Sequence, residues 1–430
     1  MRYIADFHLH SKYSRATSPQ MDLENLDKWA RLKGIQIIGT SDFTHPLWFK
    51  EIKTKLKSLD NGLFKLKTAK DKAVHFILTT EVSCIYSKNG RVRRVHLVIF
   101  FPDIASVEKF NTQLSWSSNL KADGRPILGK SAKDILEMAL NVSADALIVP
   151  AHIWTPWYSV FGSKSGFDSL EECFDDLTKY IYAIETGLSS DVLMNWRLSQ
   201  LDRVAIISCS DAHSLKNLGR EAIVFDFPAA PTYKDIVEAI KNGSPLRRQS
   251  SLGNNPLSLK YTIEFFPEEG KYHYDGHRAC NVCLTPKETI QRNGVCPVCG
   301  KSLTVGVMNR VNELADRPEG FQPEGAASFK SLVPLQEIIA EALGVEKLSK
   351  KVEYEYFEMV QAGGSEFEIL LDLSVTELLK VTSEKIVTGI MKMRNGQVQK
   401  TPGYDGVYGK ISVFGKEIEK KENKQGLLFK

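Results

Sequence analysis

Two groups of residues in this 430-residue chain have types and spacings that suit metal chemistry. The first opens with Asp6-Phe7-His8-Leu9-His10, at the end of the apolar run Tyr3-Ile4-Ala5. Alternate residues of a strand share a face, so Asp6, His8 and His10 are expected on one side, with Phe7 and Leu9 packing behind. Two imidazoles one strand step apart begin a metal site without completing it, and a polar strand end facing solvent is the other reading. Later segments decide between them, because His, Asp or Glu recurs at the end of apolar run after apolar run. Asp42 follows 35–40, Glu81 follows 74–78, His96 lies in 94–101, His152 follows 146–150, Glu185 follows 181–184, and Asp211 and His213 follow 204–207. Mixed imidazole and carboxylate donors suit zinc, manganese or iron better than magnesium alone. A pair of such ions can acidify a bridging water and stabilise a pentavalent phosphoryl transition state. No Ser or Cys with a persuasive triad competes, so the residues point to metal-assisted phosphoester hydrolysis.

The second group is Cys280-x-x-Cys283 and, twelve residues on, Cys296-Pro297-Val298-Cys299-Gly300. Each pair is a turn that aims two thiolates at one point, and two pairs complete a closed tetrahedral zinc site, whose role is structural. In a reducing compartment this spacing argues for zinc over disulfides. Cys84, Cys173 and Cys209 stand singly in apolar surroundings and read as buried free thiols.

The elements that must position these residues alternate between strand and helix through the first half, with a helix at 23–33 ending at Gly34 and another at 131–140. Such alternation implies a parallel sheet, and strands that repeatedly end in metal-binding types suggest a barrel with its site on the C-terminal rim. The length calls for two or three domains. A net charge of +4 permits a nucleic-acid partner without demanding one. No stretch approaches a membrane span and no leader precedes the first strand, so a cytoplasmic protein is expected. Gly124-Arg125-Pro126-Ile127-Leu128-Gly129-Lys130-Ser131 formally satisfies a phosphate-loop pattern, but no strand precedes it. Ser131 reads instead as a helix cap.

The motifs Asp6-Phe7-His8-Leu9-His10, Ser41-Asp42, Thr80-Glu81, His96, Pro150-Ala151-His152 and Ser210-Asp211-Ala212-His213 resemble the polymerase-and-histidinol-phosphatase (PHP) superfamily over roughly the first 225 residues. That resemblance implies an α/β fold, a distorted (βα)7 PHP barrel, here followed by a small four-cysteine zinc module and a mainly helical C-terminal domain. It implies metal ligands, and a catalytic site, at His8, His10, Asp42, Glu81, His96, His152, Asp211 and His213, holding two or three divalent ions (Zn2+, Mn2+ or Mg2+). Phe43 stands where many members carry a His, which puts one of three metal positions in doubt. The expected organisation is barrel 1–227, linker 228–260, four-cysteine module (Cys280, Cys283, Cys296, Cys299, with structural Zn2+) 261–305, helical DNA-binding region 306–415, and tail 416–430.

The tail ends Gln425-Gly426-Leu427-Leu428-Phe429-Lys430 after a charged spacer. Gln425, Leu428 and Phe429 resemble the short peptide by which repair proteins bind a sliding clamp. Barrel, zinc module, helical region and tail together resemble the endonuclease Q family, with further likeness in Glu185-Thr186-Gly187-Leu188-Ser189-Ser190 and Pro402-Gly403-Tyr404-Asp405-Gly406. The resemblance implies a monomeric DNA repair endonuclease that cuts 5′ to deaminated bases (uracil, hypoxanthine, xanthine) and abasic sites, through a flipped-out nucleotide. Trp154, Trp157, Arg220 and Tyr404 are candidates for DNA contact, by stacking or by gripping phosphate. A small-molecule phosphatase of the histidinol-phosphatase type is the alternative; it leaves the zinc module and tail without a role.

Overall fold

A computed structural model describes residues 1–69, 73–250 and 257–415. The strand Arg2–Asp6 pairs in parallel with Ile37–Gly39, which pairs in parallel with His75–Lys88. That long strand turns back through Asn89 and Gly90, at φ 54° and 71°, into its antiparallel partner Arg91–Phe101. Positive φ at both central positions matches the twist of a two-residue hairpin, and Asn-Gly adopts it with least strain. Arg91–Phe101 then pairs antiparallel with Leu147–Pro150. Ile153 N donates to Glu185 O at 2.9 Å, carrying the ring to Ala183–Glu185 and its parallel neighbour Ala205–Ile207. His10 N donates to Ala212 O at 2.9 Å and closes the circle on the first strand. The result is the expected distorted barrel with a helical C-terminal region.

The structure departs from the sequence reading in two respects. The sheet is mixed, because Arg91–Phe101 runs against both its neighbours. Glu81 therefore sits inside a long strand and not beyond its end, while His96 lies within its strand as expected. Since the hairpin reverses direction, the first half of Arg91–Phe101 lies at the rim where neighbouring strands finish, and His96 still faces the site. The barrel sheet also does not stop at 227. Ala222–Asp226 lies antiparallel to Arg2–Asp6, Ser258–Glu264 pairs with it, and Ser328–Ser331 follows in parallel. An open edge of the first strand would otherwise present unpaired backbone groups. The helix Tyr233–Lys241, expected in a linker, buries Ile236, Val237 and Ile240 in the apolar cluster that holds Phe7, Phe100 and Phe225.

Helix ends follow their local chemistry. Asp22 accepts from Asn25 N to start Leu23–Lys33, and Gly34 at φ 87° ends it. Ser131 and Asp134 form a capping box on Ala132–Val142, so the phosphate-loop look-alike is a helix start. Among the described residues no helix is long and apolar enough to cross a membrane.

Four helices, Leu335–Leu343, Lys350–Gly363, Val375–Val381 and Glu384–Arg394, build the C-terminal region. It is pinned to the barrel by a buried ion pair, Lys33 Nζ to Glu366 Oε2 at 2.7 Å. Glu366 also accepts from Tyr356 Oη at 2.8 Å and Leu335 N at 3.2 Å. Removing one partner strands a charge in the interface, and such losses cost about 3–5 kcal/mol. Glu366→Ala is expected to lower stability by that amount in urea unfolding, and Lys33→Met/Glu366→Leu by less than the sum of its single replacements.

Candidate metal centre

Beyond Asp6 the first strand leaves its ladder, and the three polar residues part company. Asp6, expected beside His8 and His10, instead accepts from Ser210 N and Gly219 N at 3.0 Å each, holding the loop that carries Asp211. His8 and His10 each have a different carboxylate behind them. His8 Nδ1 lies 3.0 Å from both oxygens of Glu185, and His10 Nδ1 lies 3.2 Å from Asp42 Oδ1. A carboxylate on Nδ1 fixes the tautomer that leaves Nε2 free to bind a metal. Both Nε2 atoms face Glu81 Oε2, at 3.5 and 3.2 Å, and Asp211 Oδ1, at 3.7 and 3.1 Å. Burial opposes protonation of the two imidazoles, but the surrounding carboxylates outweigh it and raise both well above the usual histidine range.

His8 Nε2, His10 Nε2 and Asp211 Oδ1 are buried and have no hydrogen bond of regular geometry. Buried polar atoms without partners are costly, and three converging on one point are what a cation would satisfy. The donor set of two imidazoles and two carboxylates, all within 4.8 Å of one another, fits a divalent transition ion.

A second group shares Glu81 with the first. Glu81 Oε1 lies 2.6 Å from His96 Nδ1 and 3.1 Å from His152 Nε2. Burial disfavours its charge, yet neighbouring cationic groups, Arg125 and His8, hold its carboxyl well below the ordinary range. Burial foremost pushes His96 down to about 4, with Glu81 only partly offsetting it, so its imidazole is neutral, the form that ligates. The backbone that delivers these groups is strained: Ser41, Asp42, His152 and Asp211 have φ of 58°, 43°, 28° and 46°. Left-handed conformations at non-glycine residues cluster at functional sites and persist only where packing overdetermines them.

The third group differs from the expected set of four cysteines. Cys280, Cys296 and Cys299 converge with His277, not with Cys283. His277 Nδ1 is 3.3 Å from Cys299 Sγ. The reason lies in the hairpin of Asp275–His277 with Val282–Leu284. Val282 packs inward with Cys296 and Leu303, and strand alternation then turns Cys283 outward, where it is exposed. Three thiolates and one imidazole remain a closed zinc-type set.

Residues 197–245 match the family described as PHP-associated, and residues 334–397 match the MJ0043 C-terminal domain. MJ0043 of Methanocaldococcus jannaschii is 30% identical over 299 residues, which are 68% of this chain and 36% of that protein. The chain thus spans about a third of the length of that relative. The crystal structure of the lesion-specific endonuclease PfuEndoQ from Pyrococcus furiosus superposes with a TM-score of 0.83 at 32% identity, covering 97% of this chain and 98% of that one. An endonuclease Q bound to a 27-mer duplex with an abasic lesion at its active site gives 0.82 at 32%, covering 97% and 99%. The chain belongs to the endonuclease Q family.

Within this endonuclease Q fold the remaining candidates separate. Asp42 stands behind His10 and accepts from Ser11 and Ser14, outside both ligand groups. His213 also stands outside them, its ring 4.4 Å from that of His10 and its Nδ1 on Asp211 O. Phe43 is core, against Phe101 and Phe110. Trp154 is 1% exposed and donates to Asn195, so it has no free face for a base. Trp157, 37% exposed, lines the cleft over the metal groups and meets Tyr272 edge-on. Arg220 is turned back onto Ser210 O at 2.9 Å. Tyr404 packs on Gly276 of the zinc module and donates to Asn281. Gln425, Leu428 and Phe429 lie outside the described residues.

Sequence reasoning left Glu185 without a role and missed Arg125, whose Nη1 is 3.1 Å from Glu81 Oε2. The signal for Arg125 was hidden in the look-alike loop. A Cβ at Gly124 would collide with Asp42 Oδ2, so only glycine lets the chain pass and deliver the next side chain. Metal analysis after dialysis checks the third group: Cys283→Ser is expected to retain its zinc equivalent and His277→Ala to lose it to mild chelation.

Proposed function

We propose that the chain is a metal-dependent endonuclease that hydrolyses the DNA phosphodiester 5′ to deaminated bases and abasic sites. One observation carries this reading: Glu81 offers one oxygen to each of two ligand groups, whose His96, His152 and Asp211 line a cleft of about 400 Å³ together with Arg15, Arg125 and Trp157. Family membership supports it, since one solved relative carries an abasic duplex at its active site.

Two divalent ions bound there would supply an acidified water and charge stabilisation for phosphoryl oxygens. His8, His10, Glu81 and Asp211 would hold one, and Glu81, His96 and His152 the other. The chain's own groups do the remaining work. Glu185 and Asp42 keep the imidazoles in the ligating tautomer. Asp123 Oδ1 accepts from Arg15 N at 3.3 Å and Arg125 N at 3.1 Å, tying together the two loops that carry arginines to the cleft. Their guanidiniums suit phosphate oxygens on either side of the cut, by paired charge-assisted bonds. Trp157 is placed to stack or wedge beside the nucleotide that leaves the duplex. The zinc module and helical region grip DNA backbone, with affinity that falls steeply with salt. The apolar tail peptide at Gln425, Leu428 and Phe429 recruits the enzyme to a sliding clamp.

Purified protein with manganese and a labelled duplex containing one uracil tests the reading. A nick 5′ to the lesion is expected; release of phosphate from a small monoester with no nick would sink it. His8→Ala and Asp211→Ala are expected to abolish nicking. Arg125→Ala is expected to slow it about 10²–10³-fold, the usual loss for a transition-state donor. Glu185→Gln is expected to weaken metal binding about 10–100-fold, read by manganese titration. Removing residues 425–430 is expected to abolish clamp pull-down and leave nicking rates on short duplexes unchanged.

A further inference from the structure

Inside the barrel lies a pair of acids that the metal groups do not use. Glu221 and Glu264 stand opposite each other, one step beyond the Ala222–Ile263 pair of their antiparallel ladder. Strand alternation puts Glu221 on the face of Ile223, which packs in the barrel interior with Phe7 and Ile207. Both carboxyls are 0% exposed. Phe265 N donates to Glu221 Oε1 at 3.4 Å, and Ser208 Oγ donates to Glu264 Oε1. The second oxygens, Glu221 Oε2 and Glu264 Oε2, are left without a hydrogen bond of regular geometry. With its own proton on Glu264, Ser208 Oγ accepts from Thr186 Oγ1 at 2.6 Å. Thr186 follows Glu185, the carboxylate behind His8, and Ser208 opens the loop that leads to Asp211.

We propose that Glu221 and Glu264 share a proton between their Oε2 atoms, and that the joined pair is a positioning clasp, acting through Ser208 and Thr186 on the two loops that carry Asp211 and Glu185. The inference rests on the metal site of the endonuclease reading. Two carboxylates at facing strand positions repel, and burial away from water adds to that cost. One proton between them turns the repulsion into a charge-assisted hydrogen bond and gives both bare oxygens a partner. The surrounding charges favour keeping that proton. Asp191 faces Glu264 and Glu185 faces Glu221, each adding negative charge. Arg220 opposes them at Glu221, but its guanidinium is engaged by Ser210 O at 2.9 Å. Burial foremost pushes Glu264 up to about 7, and burial and then Glu264 push Glu221 well above the usual carboxylate range. Near neutrality at least one of the two is therefore protonated, and the pair titrates as a unit.

The folded chain thus holds a proton that the unfolded chain releases near the ordinary glutamate value of about 4.3. The stability this proton brings is full below that value and is lost as pH rises toward and past 7. Glu221→Gln keeps the bond, its amide donating to Glu264, and has no shared proton to lose. The full-length protein is melted from about pH 5 to about pH 9: the Tm of Glu221→Gln is expected to exceed that of wild type by a gap that widens as pH rises. Manganese titration reads the clasp. Ser208→Ala, which cuts the pair from its loops, is expected to weaken binding at the group of His8, His10, Glu81 and Asp211 about 10–100-fold. Glu264→Gln, which keeps an oxygen for Ser208, is expected to bind as wild type does. A Tm gap that does not change with pH, or full manganese affinity in Ser208→Ala, would overturn the proposal. A metal equivalent present in wild type and missing from Glu221→Gln would overturn the proton in favour of a bound cation. Wild-type protein that binds manganese yet nicks no lesion duplex would overturn the endonuclease reading alone.

Discussion

The carboxylate of Glu81 is the constraint on which the barrel depends. It is 1% exposed and held ionised, with one oxygen toward His8 and His10 and the other toward His96 and His152. An ionised carboxylate in such a place is tolerated only if positive charge surrounds it. The chain meets that demand from strands far apart in sequence, and Arg125 adds a guanidinium from a loop. A barrel is suited to the task because every strand can deliver one donor to the same rim. The reversed hairpin of His75–Lys88 with Arg91–Phe101 is the distortion that sets Glu81 and His96 on facing strands.

Around this carboxylate the protein holds further charges in fixed order. Glu185 backs His8, Asp42 backs His10, and Asp6 anchors the loop of Asp211. Four residues at the site take left-handed backbone at a cost of about 1–3 kcal/mol each. That strain is held by packing on both sides. Gly187 illustrates the tightness: a Cβ there would collide with that of His152. The positions of these side chains are therefore set by backbone held between packed groups on both sides.

Much of this was legible in the sequence, and the reasons differ from residue to residue. His8, His10, Glu81, His96, His152 and Asp211 could be picked out because apolar runs announce strands and polar residues at their ends stand out. Asp42 and His213 carry the same local signature, and nothing in a single sequence tells a member of a donor group from the residue packed behind it. The Cys283 position was lost for a similar reason. Spacing alone makes two C-x-x-C pairs, while the side that faces the metal depends on Val282 needing the small core with Cys296 and Leu303. Trp154 looked available beside His152, yet its size made it a core residue. Arg125 was missed because its role arises from Gly124 crossing Asp42, a contact between segments far apart in the chain.

The C-terminal region adds a buried polar junction at the side of the barrel. A PHP-type site on its own offers a metal-lined cleft to many phosphoesters, and nothing in Glu81 and its partners distinguishes one nucleotide from another. Fold and metal chemistry therefore argue for hydrolysis but not for a lesion. The Lys33–Glu366 pair orients the helix Leu335–Leu343 through the bond from Leu335 N, one residue before Gln336. A buried ion pair contributes little net stability compared with apolar packing, but it fixes relative orientation. Here the orientation it fixes is that of the wall facing Arg220 and, through Arg220, the backbone of Asp211. The barrel and the helical region are thereby held in register at that junction.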